Sequence, residues 1–170
     1  KAKHTFSFGS YYDPKNMHFG PLRVINQDII AGNSGFPEHP HDNMEIITYI
    51  IKGELSHKDS SGGGSTIFPG RVQRMSAGSG IVHSEFNKSA KETELLQIWL
   101  LPEKKNIDPG YEEKEFALEA AENKLQLLAS QSSKKALSIN RDVEIYRSIM
   151  DKEESFSYQA KKRYQWLQLI

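Results

Sequence analysis

The chain has 170 residues, a length that suits one domain or two small packed ones and excludes a long multidomain enzyme. Lys plus Arg balance Asp plus Glu at 22 each, and without a basic surplus direct nucleic-acid binding is not expected. Cysteine is absent, which removes disulfides, thiolate catalysis and sulfur-ligated zinc, so any metal must be held by nitrogen and oxygen.

The chain opens at Lys1 without a cationic-then-apolar leader, and no apolar run approaches the roughly 18–20 residues that span a bilayer. No membrane contact and a cytoplasmic location are expected. His4 and His18 fall in the segment HTFSFGSYYDPKNMHFGPL, where aromatic crowding points to packing. Short β-rich runs then follow at Leu22–Ile30, Met44–Ile51, Glu54–His57, Ser65–Phe68, Val72–Met75, Ile81–Phe86 and Thr93–Leu101. Strands this closely spaced, with no helix of 10–15 residues between them, predict an all-β barrel or sandwich. The run Ser60–Ser65 (SSGGGS) has linker composition, but its place between two short strands makes it a hairpin loop.

Eleven of twelve Gly and all six His precede residue 90, and all seven Pro precede residue 110. This shift places a boundary in Pro102–Glu113 (PEKKNIDPGYEE). The expected organisation is a first unit over 1–102, a linker over 103–113 and a second unit over 114–170. Helix propensity in Glu112–Leu125 (EEKEFALEAAENKL) allows a helix there. Further strands are expected at Leu125–Ser130, Ala136–Ile139, Val143–Met150, Ser155–Gln159 and Tyr164–Ile170. A start without Met and an end inside a strand-like run suggest a piece of a longer protein.

Four residues carry the chemistry: His39, His41, His83 and Glu85. Side chains at i and i+2 share one face of a strand, so His39-Pro40-His41 presents two imidazoles and His83-Ser84-Glu85 an imidazole beside a carboxylate. The turn Ala77–Gly80 would bring the second dyad across the sheet toward the first. Three nitrogen donors and one carboxylate suit a first-row transition metal with positions left open for substrate and O2. The competing interpretation makes these histidines turn-rim or hydrogen-bonded core residues. Glu45, four residues after His41, is placed either as a ligand or behind one, fixing an imidazole tautomer. His57 and Asp59 are expected on the rim of the glycine loop. Gly78-Ser79-Gly80 belongs to no phosphate-loop pattern, and no G-x-S-x-G elbow supports a hydrolase.

The spacing His39-x-His41-x3-Glu45, followed by Gly53, resembles the first cupin motif, with one extra residue before the glycine. Gly80-Ile-Val-His83-Ser-Glu-Phe-Asn87 resembles the second, with Gly78 where that motif has Pro. The blocks MHFGPLRVINQD, HPHDNMEIITYIIKGELSHKDS and QRMSAGSGIVHSE resemble the pirin family, especially its bacterial quercetin-dioxygenase-like members, nearly end to end. The resemblance implies a bicupin with metal only in the N-terminal β-barrel. It assigns His39, His41, His83 and Glu85 as ligands of one divalent metal, Fe(II) first, with Mn, Ni, Cu, Co and Zn as further fits. Where the general cupin pattern takes Glu45 as the carboxylate ligand, the pirin pattern takes Glu85, whose i+2 relation to His83 needs no bend. About 57 residues follow the linker, whereas a second barrel needs roughly a hundred, so an incomplete second cupin barrel is expected.

The activity implied is a flavonol 2,3-dioxygenase, with Glu85 as the base that takes the 3-hydroxyl proton of a quercetin-like substrate before reaction with O2. The alternative is a non-enzymatic, metal-dependent and redox-responsive transcription cofactor, as other pirins are thought to be. Balanced charge would make that role depend on a protein partner.

Overall fold

A computed structural model describes residues 1–159 and 163–170. Its strands in chain order are β1 (Ala2–His4), β2 (Leu22–Ile30), β3 (Ser34–His41), β4 (Glu45–Lys52), β5 (Leu55–Asp59), β6 (Gly64–Ile67) and β7 (Arg71–Ser76). They continue with β8 (Ile81–Asn87), β9 (Thr93–Leu100), β10 (Gly110–Glu115), β11 (Gln126–Ser130), β12 (Leu137–Ser138) and β13 (Glu144–Arg147). A six-stranded sheet of order β1-β2-β9-β4-β7-β10 packs on a four-stranded sheet of order β3-β8-β5-β6. All strand pairs in both sheets are antiparallel. Among the described residues the hydrogen-bonded ladders do not close the two sheets into one barrel.

The alternation of β4 shows why the six-stranded sheet sits at the centre. Ile46 and Ile50 join the clusters between the two large sheets, with Met75 and Ile81 around the first and Leu55, Ile67 and Leu95 around the second. Ile47 points the other way, into a cluster with Val72, Leu100, Leu128 and Leu137. That second face is covered by the three-stranded sheet β12-β11-β13. A sheet buried on both faces needs near-continuous apolar strands, and EIITYIIK supplies one. Each such buried side chain contributes about 1.5–3 kcal/mol relative to exposure.

The C-terminal part departs from expectation. Gly110–Glu113, assigned above to the linker, belong to β10, which pairs with β7 from Gly110↔Ser76 to Glu115↔Arg71. No helix forms over Glu112–Leu125: β10 takes its first residues and a 3₁₀ turn spans Leu118–Ala121. Tertiary pairing overrides propensity here, because Glu112 and Glu113 meet Arg74 and Arg71 across the ladder at 3.0 and 3.2 Å. Ser155–Gln159 and Tyr164–Ile170, expected as strands, are irregular. Within the latter, Trp166 packs on Phe6 and Phe19, with ring centroids 5.1 and 5.4 Å apart. Residues 120–150 otherwise follow the expected strands, shortened at their ends. Among the described residues no helix is long and apolar enough to cross a membrane.

Candidate metal centre

The site is built on the four-stranded sheet, where β8 lies between β3 and β5. The turn before β8 was expected to set the second dyad opposite the strand of the first, and the two dyads stand on neighbouring, antiparallel strands of one sheet. In the ladders His39 on β3 and Asp59 on β5 both stand opposite His83, and His57 stands opposite Glu85. Two steps along β8 correspond to three along β3, because the register shifts between Phe36 and His39. Such a bulge re-aims side chains. Strand β3 carries Pro37 and Pro40, which an edge strand tolerates because one side of it makes no ladder.

The imidazoles converge. His39 and His83 have ring centroids 4.4 Å apart and Nε2 atoms 3.0 Å apart. His41 lies 4.8 Å from His39 and 4.9 Å from His83, centroid to centroid. Donor atoms of these three rings lie within 4.8 Å of one another, and His57, His83 and Glu85 form a second group of the same tightness. Glu85 thus shares the inward face of β8 with His83, while its carboxylate is engaged by the opposite sheet. Gln97 Nε2 donates to it in a short hydrogen bond, and Thr48 Oγ1 and Gln73 Nε2 donate to it at 3.4 Å. Gln97, Thr48 and Gln73 form one register row across β9, β4 and β7.

Burial sets the electrostatics. It pushes His83 down to about 3, with the neighbouring imidazoles of His39, His41 and His57 adding to the effect. Burial and the adjacent His39 lower His41 to about 4. Both rings are therefore neutral at pH 7, the form that binds a metal. Burial raises the Glu85 carboxyl to about 7 against the opposing hydrogen bonds from Gln97 and Thr48.

The donor set fits a divalent transition metal on two observations. His41 Nε2 is buried without a hydrogen-bond partner among the described residues, a costly state for a polar atom. His39 Nδ1 lies 2.7 Å from the carbonyl oxygen of Pro37. A carbonyl only accepts, so a neutral His39 carries its proton on Nδ1 and turns the Nε2 lone pair toward His83.

Three sequence expectations are revised. Glu45 reaches no imidazole: among the described residues its carboxylate accepts hydrogen bonds from Ser76 Oγ at 3.0 Å and from the backbone N–H and side-chain amide of Asn140 at 3.0–3.3 Å. It fastens the C-terminal part to the first sheet. His57 and Asp59 are not on the rim; both side chains are fully buried, 2.8 Å apart, against His83. The linker assignment concealed Tyr111, whose ring stacks on His57 at 4.9 Å and whose hydroxyl meets Gln73 and Ser65. Sequence reading also passed over Gln97, Thr48 and Gln73. Their signal was a polar residue at an inward position of an apolar strand, as in TELLQIWL.

A two-layer jelly roll with a histidine cluster on the inner face of its smaller sheet defines a protein of the cupin class. The Pirin family model matches residues 1–100. Quercetin 2,3-dioxygenase of Escherichia coli K12 is 43% identical over 169 residues, spanning 98% of this chain and 72% of that protein. A pirin-like protein of Caulobacter vibrioides is 44% identical over 95% of this chain and 71% of its own length. The crystal structure of the E. coli bacterial pirin YhhW in complex with nickel(II) superposes with a TM-score of 0.81 and 44% identity. It covers 86% of this chain, and this chain spans 63% of it. The chain belongs to the pirin family of the cupin superfamily.

Proposed function

We propose that His39, His41, His83 and Glu85 hold one divalent transition metal, Fe(II) in the cell, and that the site opens a quercetin-like flavonol with O2 and releases carbon monoxide. The reading rests above all on the convergence of the three imidazoles, two of them held neutral by burial. It draws further support from the relatives named quercetin 2,3-dioxygenase and from the nickel-bound pirin. When bound, such a metal supplies Lewis acidity and a template for substrate oxygen and O2.

The chain's own residues supply the rest. Glu85, the carboxylate beside His83 on the inward face of β8, takes the proton of the flavonol 3-hydroxyl, and to do so it has to be within hydrogen-bond reach of that hydroxyl. Gln97, Thr48 and Gln73 orient its carboxylate. Trp99 lies edge-on to His41 at 4.8 Å and has a buried Nε1–H without a partner among the described residues, a donor available to a substrate oxygen. An open cleft of about 390 Å³ adjoins His41 between Pro40, Asp42, Ser79 and Gly80. The division into a metal-bearing first unit and a second unit that covers its sheet belongs to the same proposal.

The test is anaerobic loading with Fe(II), Mn(II), Co(II), Ni(II), Cu(II) or Zn(II), followed by quercetin and O2. Loss of the flavonol absorbance with carbon monoxide release is expected with at least one metal. Its absence with every metal overturns the enzymatic reading and leaves the metal-dependent cofactor that acts through a protein partner.

A further inference from the structure

We propose that Asp59 and His57 form a hydrogen-bond relay that sets the tautomer of His83, aiming its Nε2 lone pair at His39 and His41. The inference deepens the metal-site reading and rests on His83 being a ligand. Its direction follows from donors and acceptors. Asp59 lies 2.8 Å from His57 Nε2, and an ionised carboxylate only accepts, so His57 Nε2 carries a proton. A neutral His57 then leaves Nδ1 as an acceptor, 3.4 Å from His83 Nδ1. His83 Nδ1 is therefore the donor, and its Nε2 lone pair faces that of His39 Nε2 at 3.0 Å, an arrangement that a cation between the two nitrogens favours over the competing hydrogen bond from His83 Nε2–H to His39 Nε2. The reverse chain would set the lone pair of His57 Nε2 against the Asp59 carboxylate.

The glycine loop explains how Asp59 is held to this task. Its Oδ1 accepts from Ser61 N, Ser61 Oγ and Gly63 N, leaving Oδ2 for His57. A Cβ on Gly63 would come within 2.5 Å of Oδ2, so any other side chain there would push the carboxylate off His57. Tyr111 seals the other side of His57. Ser60–Ser65, which composition alone presents as a linker, is a carboxylate-capping device. His57 and Asp59 are accordingly positioning residues: they act on the metal through His83.

Asp59→Asn offers an almost isosteric reversal. The three loop donors keep the amide oxygen at the Oδ1 position, so the NH2 faces His57 Nε2, and the proton pattern of both histidines inverts. The relay is read in the metal-free, histidine-¹⁵N-labelled chain from long-range ¹H–¹⁵N spectra, with Ni(II) titration alongside. In the unmodified protein His83 is expected to be protonated on Nδ1, and in Asp59→Asn on Nε2, with Ni(II) affinity lower by about 10–100-fold. His57→Leu is expected to lose as much. His57→Asn, whose side-chain oxygen replaces Nδ1 as acceptor, is expected to restore most of it. An unmodified protein with His83 protonated on Nε2 overturns the proposal, as does a folded His57→Asn that binds as weakly as His57→Leu, the result expected if His57 were itself a ligand. If Ni(II) binding is indifferent to His83→Ala, the metal-site reading fails, while the tautomer spectra still decide the relay.

Discussion

Glu85 holds a charge at a cost to the metal-free fold, and Glu85→Gln measures that cost. Burial lifts its carboxyl from the ordinary 4.5 to about 7, which at about 1.4 kcal/mol per tenfold change in proton affinity corresponds to about 3 kcal/mol. Between pH 4.5 and 7 the folded state holds a proton that the unfolded state has released, so stability falls as pH rises through that window. The cost is complete above pH 7 and vanishes below 4.5. A glutamine carries no charge to desolvate, and its amide matches Gln97, Thr48 and Gln73 once the Gln97 amide turns its oxygen inward. Urea unfolding of the chelator-treated protein should show the variant more stable by about 2–3 kcal/mol at pH 8 and unchanged at pH 4.5. The same variant should bind metal more weakly, a trade of function for stability of the kind active sites commonly show. An equal effect at both pH values, or destabilisation at pH 8, would refute the account.

The same shifts govern metal binding. His41 and His83 stay neutral down to about 4 and about 3, so from pH 7 to 5 Ni(II) affinity should fall by about tenfold per pH unit more steeply in the unmodified protein than in Glu85→Gln. Parallel slopes in titration calorimetry would exclude Glu85 as the competing group. Glu45→Ala should cost about 1–3 kcal/mol in unfolding experiments by stranding buried donors of Ser76 and Asn140, with Ni(II) affinity unchanged; weaker binding at unchanged stability would return Glu45 to the metal site. In Gly35→Ala the new Cβ would stand 2.1 Å from the backbone oxygen of Glu85, pushing β3 off β8, so both stability and Ni(II) affinity should drop, the former by about 1–3 kcal/mol. Retention of both would show that the bulged strand moves freely. Tyr164, Leu167 and Leu169 are 95%, 83% and 79% exposed, and apolar surface of this kind should bind a hydrophobic dye or drive self-association; a monomer that binds no dye contradicts this.

Much of this protein was readable one strand at a time. Alternation, turn glycines and the absence of long helical periods determine an all-β chain, and the i, i+2 spacing determines that His39 pairs with His41 and His83 with Glu85 on their own strand faces. Those properties depend only on backbone geometry within a few residues. The hairpin read at Ser60–Ser65 was legible for the same reason, its last two residues belonging to β6. Partner choice and burial were not, because they depend on which strands meet. Glu45 shares the parity of His41, yet residue Asn140, some 95 positions away, takes its carboxylate. EEKEFALEAAENKL has helical propensity, yet β7 offers its first residues a ladder and two arginines. His57 and Asp59 border a glycine-rich loop and look solvent-facing in isolation, but the β5–β8 register sets them against Glu85 and His83 in the interior. Local sequence decides which groups point the same way along a strand; only the packed sheets decide what stands opposite them, and with it whether a carboxylate holds a ligand in place, fastens two parts of the chain together or carries a proton.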